Sequence, residues 1–170
     1  MKKLSIFLFL GFCQLFFAQN FEVSTLRIGD FKVFMPKSEA DKIAKKALQT
    51  FEDYEKTNKV SLNGENVDVT LMDQWVDENK PMQKQVYSLK TKSPKFKTKS
   101  GMGVGNTRDQ LIDTYRNYAN FEVHQYKDEN GKNDKQSFFT LNDYDAGTYL
   151  TFVMENNIVV EIMVGMNEGC

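Results

Sequence analysis

The chain has 170 residues, 22 of them basic and 23 acidic, so its formal charge at neutral pH is −1. That balance excludes the clearly basic surface expected of a nucleic-acid-binding protein. Two cysteines exclude a metal site built from several thiolates, and one histidine leaves little material for acid–base catalysis.

The N-terminus opens Met1-Lys2-Lys3 and continues through Leu4-Ser5-Ile6-Phe7-Leu8-Phe9-Leu10-Gly11-Phe12-Cys13 to Phe16-Phe17-Ala18-Gln19. Two lysines, a short apolar run and a small residue match the three-part secretory signal. Ser5 and Gln14 interrupt the run, which falls short of the roughly 20 apolar residues of a spanning helix. A cleavable signal over residues 1–18, cut near Ala18, is expected, with a secreted or periplasmic product. Lipid attachment at Cys13 is the alternative and the one route to membrane contact. It is disfavoured because Phe12 stands where a small residue belongs. Cleavage leaves 152 residues, enough for one domain over 19–170 with a real core. It also removes Lys2, Lys3 and Cys13, giving a formal charge of −3. Cys170 is then alone, so no intramolecular disulfide is expected; it is free or pairs with another chain.

Ser38 and Asp41 read as the start of a helix. Ala40, Ile43, Ala44, Ala47, Phe51 and Tyr54 recur at three- and four-residue spacing, and the stripe predicts a helix running to about Asn58. The period then changes to two. Val60 and Leu62 precede Asn63-Gly64, and Val67, Val69 and Leu71 follow it, a hairpin signal. Further strands are expected over Gln85 to Thr91 and around Phe96 and Thr98.

Thr107 and Gln110 form a capping box, with Leu111, Ile112 and Tyr115 as the buried stripe of a second helix. Four strands follow: Phe121–Tyr126, Gln136–Leu141, Thr148–Met154 and Ile158–Met166. Asn130-Gly131 and Asn156-Asn157 supply turns. The order helix, strands, helix, strands suggests a duplication, with half-repeats over 27–99 and 100–166. The expected class is α+β, with helices packed on one face of an antiparallel sheet.

The segment Gly101-Met102-Gly103-Val104-Gly105-Asn106-Thr107-Arg108-Asp109-Gln110-Leu111-Ile112-Asp113-Thr114-Tyr115 carries a resemblance. It is similar to the glycine-rich entry to a helix in β-lactamase-inhibitor-protein-like domains and in small lipoproteins of outer-membrane assembly. The resemblance implies a short strand or turn, a helix, a packed antiparallel sheet, and protein binding rather than catalysis. Cys13 lacks the preceding small residue of those lipoproteins, and no target-contacting residue carries over.

Three features stand as candidate contact sites. Lys95, Lys97 and Lys99 fall on one face of a short strand, within a stretch free of acidic residues from 80 to 108. They read as a charged guard on a sheet edge or as a strip for an acidic partner or phosphorylated headgroup. Trp75 reads as an exposed platform or hot spot, although its register with Val67, Val69 and Leu71 favours the core. Tyr126 shares a polar strand face with Glu122 and His124, opposite Phe121 and Val123.

Lys99-Ser100-Gly101 has the form of a penicillin-binding triplet, yet no serine has lysine three residues later. Asp128-Glu129-Asn130-Gly131 and Asn142-Asp143-Tyr144-Asp145 lack a full calcium-loop spacing and read as turns. No cofactor or metal is expected. The function expected is exported, non-catalytic binding of a protein or envelope component. A small envelope hydrolase using His124 and nearby carboxylates, and a structural envelope protein linked through Cys170, are the alternatives. The oligomeric state is left open.

Overall fold

Period-two alternation dominates the chain, and strands dominate the structure. The computed structural model describes residues 20–75, 81–127, 131 and 133–167. Residues 1–19 with Cys13 and Ala18, Lys80, the turn expected at Asp128-Glu129-Asn130, and Cys170 lie outside the described residues. Three short strands come first: β1 (Glu22–Ser24), β2 (Arg27–Ile28) and β3 (Phe31–Lys32). Helix α1 (Lys37–Ala44) leads to β4 (Asn58–Leu62), β5 (Glu65–Gln74) and β6 (Gln83–Thr91). The two-residue β7 (Lys97–Thr98) precedes α2 (Arg108–Tyr115). Four long strands close the chain: β8 (Phe121–Lys127), β9 (Asn133–Asp143), β10 (Thr148–Glu155) and β11 (Ile158–Met166).

These strands form a seven-stranded sheet in the order β4-β5-β6-β11-β10-β9-β8 and a four-stranded sheet in the order β3-β2-β1-β7. The large sheet is antiparallel throughout, whereas β1 and β7 run parallel. Each half of the chain supplies one short helix and one meander. The meanders meet where β6 pairs with β11, Leu89 opposite Val164.

The expected α+β layering of helices on one face of a sheet is therefore corrected. About half of the chain is strand and 12% is helix. Two physical causes account for the difference. Residues 22–32, too short in period to register as elements, fold into the hairpin strands of the second sheet. The stripe from Ala40 to Tyr54 does not stay helical: α1 ends after eight residues, with Lys45 left-handed at φ 53°. Asp41 turns the chain there. Its carboxylate accepts from the Leu48 N–H at 2.8 Å while holding the Lys37 ammonium at 2.6 Å. Leu48 is buried and Tyr54 is exposed.

One core fills the space between the large sheet and the layer formed by the small sheet and helices. Val23, Ile28 and Phe31 from the small sheet meet Val67, Val69, Leu71, Leu89, Phe139, Phe152 and Ile162 from the large one, with Ala40 and Leu111 from the helices. Phe31, Phe96, Phe139 and Phe152 are fully buried, each stabilising the fold by about 1.5–3 kcal/mol on burial. Beyond the reach of β11 the chain at Phe34–Pro36 lies beside β6. Phe34 N–H donates to the Val86 carbonyl and Val86 N–H to the Met35 carbonyl, both at 2.9 Å. With that layer on one side, the other face of the large sheet has no described element over it.

Candidate functional site

The core takes one side chain in two from each long strand, and the remaining side chains face outward. Cross-strand register arranges them in rows. Glu122 lies opposite Thr140, Thr140 opposite Thr151, Thr151 opposite Met163, and Met163 opposite Lys90. The neighbouring row runs His124, Phe138, Val153, Glu161, and the next runs Asn142, Tyr149, Gly165, Ser88. Over β8–β11 these residues surround an open cavity of about 450 Å³, with Met166 and Asn167 at its end. Strand residues line nearly all of it, and it is open to solvent.

The cavity combines aromatic walls with a polar floor. The His124 ring lies 5.1 Å from Phe138, centroid to centroid, and Tyr126 meets the same phenyl edge-on at 6.5 Å. On the floor, the Thr140 and Thr151 hydroxyls share a hydrogen bond of 2.9 Å. Asn142 donates from Nδ2 to Glu122 Oε1 at 2.9 Å and accepts from Asn167 Nδ2 at 3.3 Å. Tyr149 stands over Gly165, where an added Cβ would come within 2.6 Å of the tyrosine oxygen. That glycine lets the ring lie close to the sheet.

Tyr126 and His124 are exposed on this face, as their alternation predicts. Phe138, Tyr149, Thr140, Thr151 and Met163 were missed as site residues. Their signal was present in Phe138-Phe139: adjacent side chains on a strand face opposite ways, so both phenylalanines cannot serve one core. Phe139 is fully buried, and Phe138 is the outward one.

Two of the three lysines of the strip bond within the molecule. Phe96 is fully buried and holds its neighbours against the body. Lys95 pairs with Glu65 at 2.7 Å and lies 5.8 Å from the Phe21 ring centroid. That bond, with one from Ser93, holds the Glu65 carboxyl below its usual value. Lys97 donates to the Val104 carbonyl at 2.8 Å and to Asn106 Oδ1 at 3.3 Å, and burial lowers its pKa. The Lys95 ammonium is held in an ion pair at the surface, on a side chain 60% exposed, and the Lys97 ammonium shapes the 103–106 turn ahead of α2. Lys99 is exposed and lines a different cavity.

For Trp75 the structure gives the exposed position rather than the core. It is 63% exposed, as is Tyr54, and Met82 beside it is 47% exposed. The inward row of β5 ends its burial at Leu71, because the strand outruns the layer packed on it; Asp73 is already exposed.

A second cavity, about 510 Å³, lies between the small sheet, α2 and the ends of β9 and β10. Several of its polar groups are bonded within the molecule. Thr25 donates to Asp143 at 3.1 Å, Tyr115 to Thr98 at 2.8 Å and Tyr118 to the Asn142 carbonyl at 3.2 Å. Burial raises the pKa of both tyrosines. These bonds tie the two layers together, so the outer-face cavity is the better candidate despite its smaller volume.

No family model matches this chain, and no curated protein or solved structure does.

Proposed function

We propose that the protein is an exported, non-catalytic binding module that contacts a protein or envelope component through the outer face of β8–β11. The observation that carries this reading is the cavity on an otherwise uncovered sheet face, walled by His124, Phe138 and Tyr149. Aromatic anchors around hydrogen-bonding groups are the usual makings of a protein-binding hot spot. Export rests on the N-terminal pattern of two lysines and an apolar run.

A hydrolase would need His124 joined to a nucleophile or a carboxylate. Its described neighbour is an aromatic ring, and the adjacent Glu122 is bonded to Asn142. That arrangement favours recognition over turnover.

The test is crosslinking and pull-down with the exported, processed chain from envelope and secreted fractions. A saturable partner is expected, and Phe138→Ser should weaken its capture by about 10- to 30-fold, as loss of a hot-spot aromatic does. The circular dichroism spectrum should stay unchanged. Absence of any saturable partner, together with turnover of a substrate panel, contradicts the reading.

A further inference from the structure

The two edges of the large sheet are treated differently. Beside β4, the 46–58 segment supplies cover. Lys46 donates to the Lys59 carbonyl at 2.6 Å, Phe51 N–H donates to the Leu71 carbonyl at 2.9 Å, and Asn58 bonds both the Gln49 backbone and the Val69 carbonyl. At the other edge, β8 is last in the strand order, and no described strand lies beyond it. Val123 on that strand is 41% exposed. An uncovered edge strand is a template for pairing with another chain.

The hydrogen-bond pattern says which backbone groups face outward. Asn142 N–H donates to the Asn120 carbonyl at 2.9 Å, so the Asn120/Asn142 pair is a bonded one. In an antiparallel ladder bonded and non-bonded pairs alternate. Following the register, Glu122 with Thr140 and His124 with Phe138 are bonded to β9, while Val123 opposite Phe139 is not. The N–H and C=O of Val123 therefore point away from the sheet.

We propose that a second copy of this chain docks on β8, antiparallel and with Val123 at the twofold axis. In that register the two Val123 residues exchange both backbone hydrogen bonds, and their exposed side chains cover each other. Each Glu122 then faces His124 of the other copy, twice over, on the same sheet face. Glu122 Oε1 is taken by Asn142, which leaves Oε2 for the imidazole. The acceptor–donor pattern Glu-Val-His is thus complementary to itself when read in reverse. Shifting the axis to His124 would instead set imidazole against imidazole.

The axis runs perpendicular to the sheet, so both outer faces lie on one side of a continuous fourteen-stranded surface. Two cavities then flank one seam. A register irregularity between Gln125 and Lys127, with the extra residues on β9, ends the regular β8–β9 ladder after Gln125, and the proposed contact is confined to the regular stretch before it. A short contact makes a weak dimer, with a dissociation constant on the order of 10–100 µM. Self-association is measured with no partner present, so its failure is distinguishable from the failure of the outer-face reading.

The test is sedimentation equilibrium of the exported, processed chain across about 1–300 µM, a range bracketing that constant. The mass should rise from one chain to two. Val123→Pro removes only an outward N–H and is tolerated at a sheet edge, and Val123→Lys sets two ammonium groups at the axis. Both variants should stay monomeric with an unchanged circular dichroism spectrum. Val123→Cys in a Cys170→Ser background should crosslink to itself on oxidation. Glu122→Lys should weaken the dimer at least tenfold, and adding His124→Glu should restore it. A monomer at every concentration overturns the proposal. So does a dimer that survives both Val123→Lys and Val123→Pro, which places the contact elsewhere, including on a heterologous strand.

Discussion

Asp41 shows how one side chain redirected the fold away from what periodicity implies. The apolar spacing from Ala40 to Tyr54 is helical, but periodicity is blind to a carboxylate that offers the Leu48 N–H a partner outside the helix. The bond from Lys37, then that backbone bond, holds the Asp41 carboxyl below its ordinary value. A lowered folded-state pKa means the charged form stabilises the fold. The contribution is complete above the ordinary carboxylate pKa of 3.8 and is lost as the pH falls through the lowered folded value. Asp41→Asn should therefore be less stable than the parent at pH 6, by about 1 kcal/mol or less for so exposed an ion pair. The two urea midpoints should converge below about pH 4, where a carboxylate becomes protonated. A gap that persists undiminished at pH 2 would assign the loss to packing instead. Trp75 and Lys97 follow the same lesson at this scale: spacing set the face each would occupy, but not where the opposing layer ended or what lay within reach.

Among the elements, those set by local chemistry were legible and those set by tertiary contacts were not. The capping box at the start of α2 is present as read. Thr107 Oγ1 accepts from the Gln110 N–H at 3.2 Å, and Gln110 Oε1 accepts from the Thr107 N–H at 2.9 Å. Asn63-Gly64 forms the β4–β5 turn with φ of 54° and 83°, and Asn156-Asn157 forms the β10–β11 turn with 50° and 65°. Positive φ at both central residues suits the twist of a hairpin. By contrast, β1, β2 and β3 span three, two and two residues, too few for any period to show. Eight residues do not make a helix that stands alone, so α2 depends on its cap and on Leu111. Thr107→Ala should lower stability by about 1 kcal/mol, read as a shift in the urea midpoint with an unchanged slope. No shift would mean that packing alone holds the helix.

For the whole molecule, the decisive asymmetry is between the two faces of the seven-stranded sheet. One face receives the small sheet and both helices; the other carries the rows through Thr140–Thr151 and Phe138–Val153 with no described element over it. The strand alternation made half of this site legible, since it already set Glu122, His124 and Tyr126 on one face. The other half comes from β9, β10 and β11, whose outward residues join that face only through register. The neighbours of the lysine strip were illegible for the same reason: Glu65 and the 104–106 turn are set beside Lys95 and Lys97 by the fold.

Position-specific photocrosslinking in the cell that makes the protein tests the central claim most directly. A photoreactive residue at Phe138 or Thr151 should give a discrete, saturable adduct. The same probe at Lys45 or Tyr54, neither of which lines the cavity on that face, should not. Adducts of equal strength at all four positions, or only at Lys45 and Tyr54, would contradict the assignment of the outer face as the contact surface.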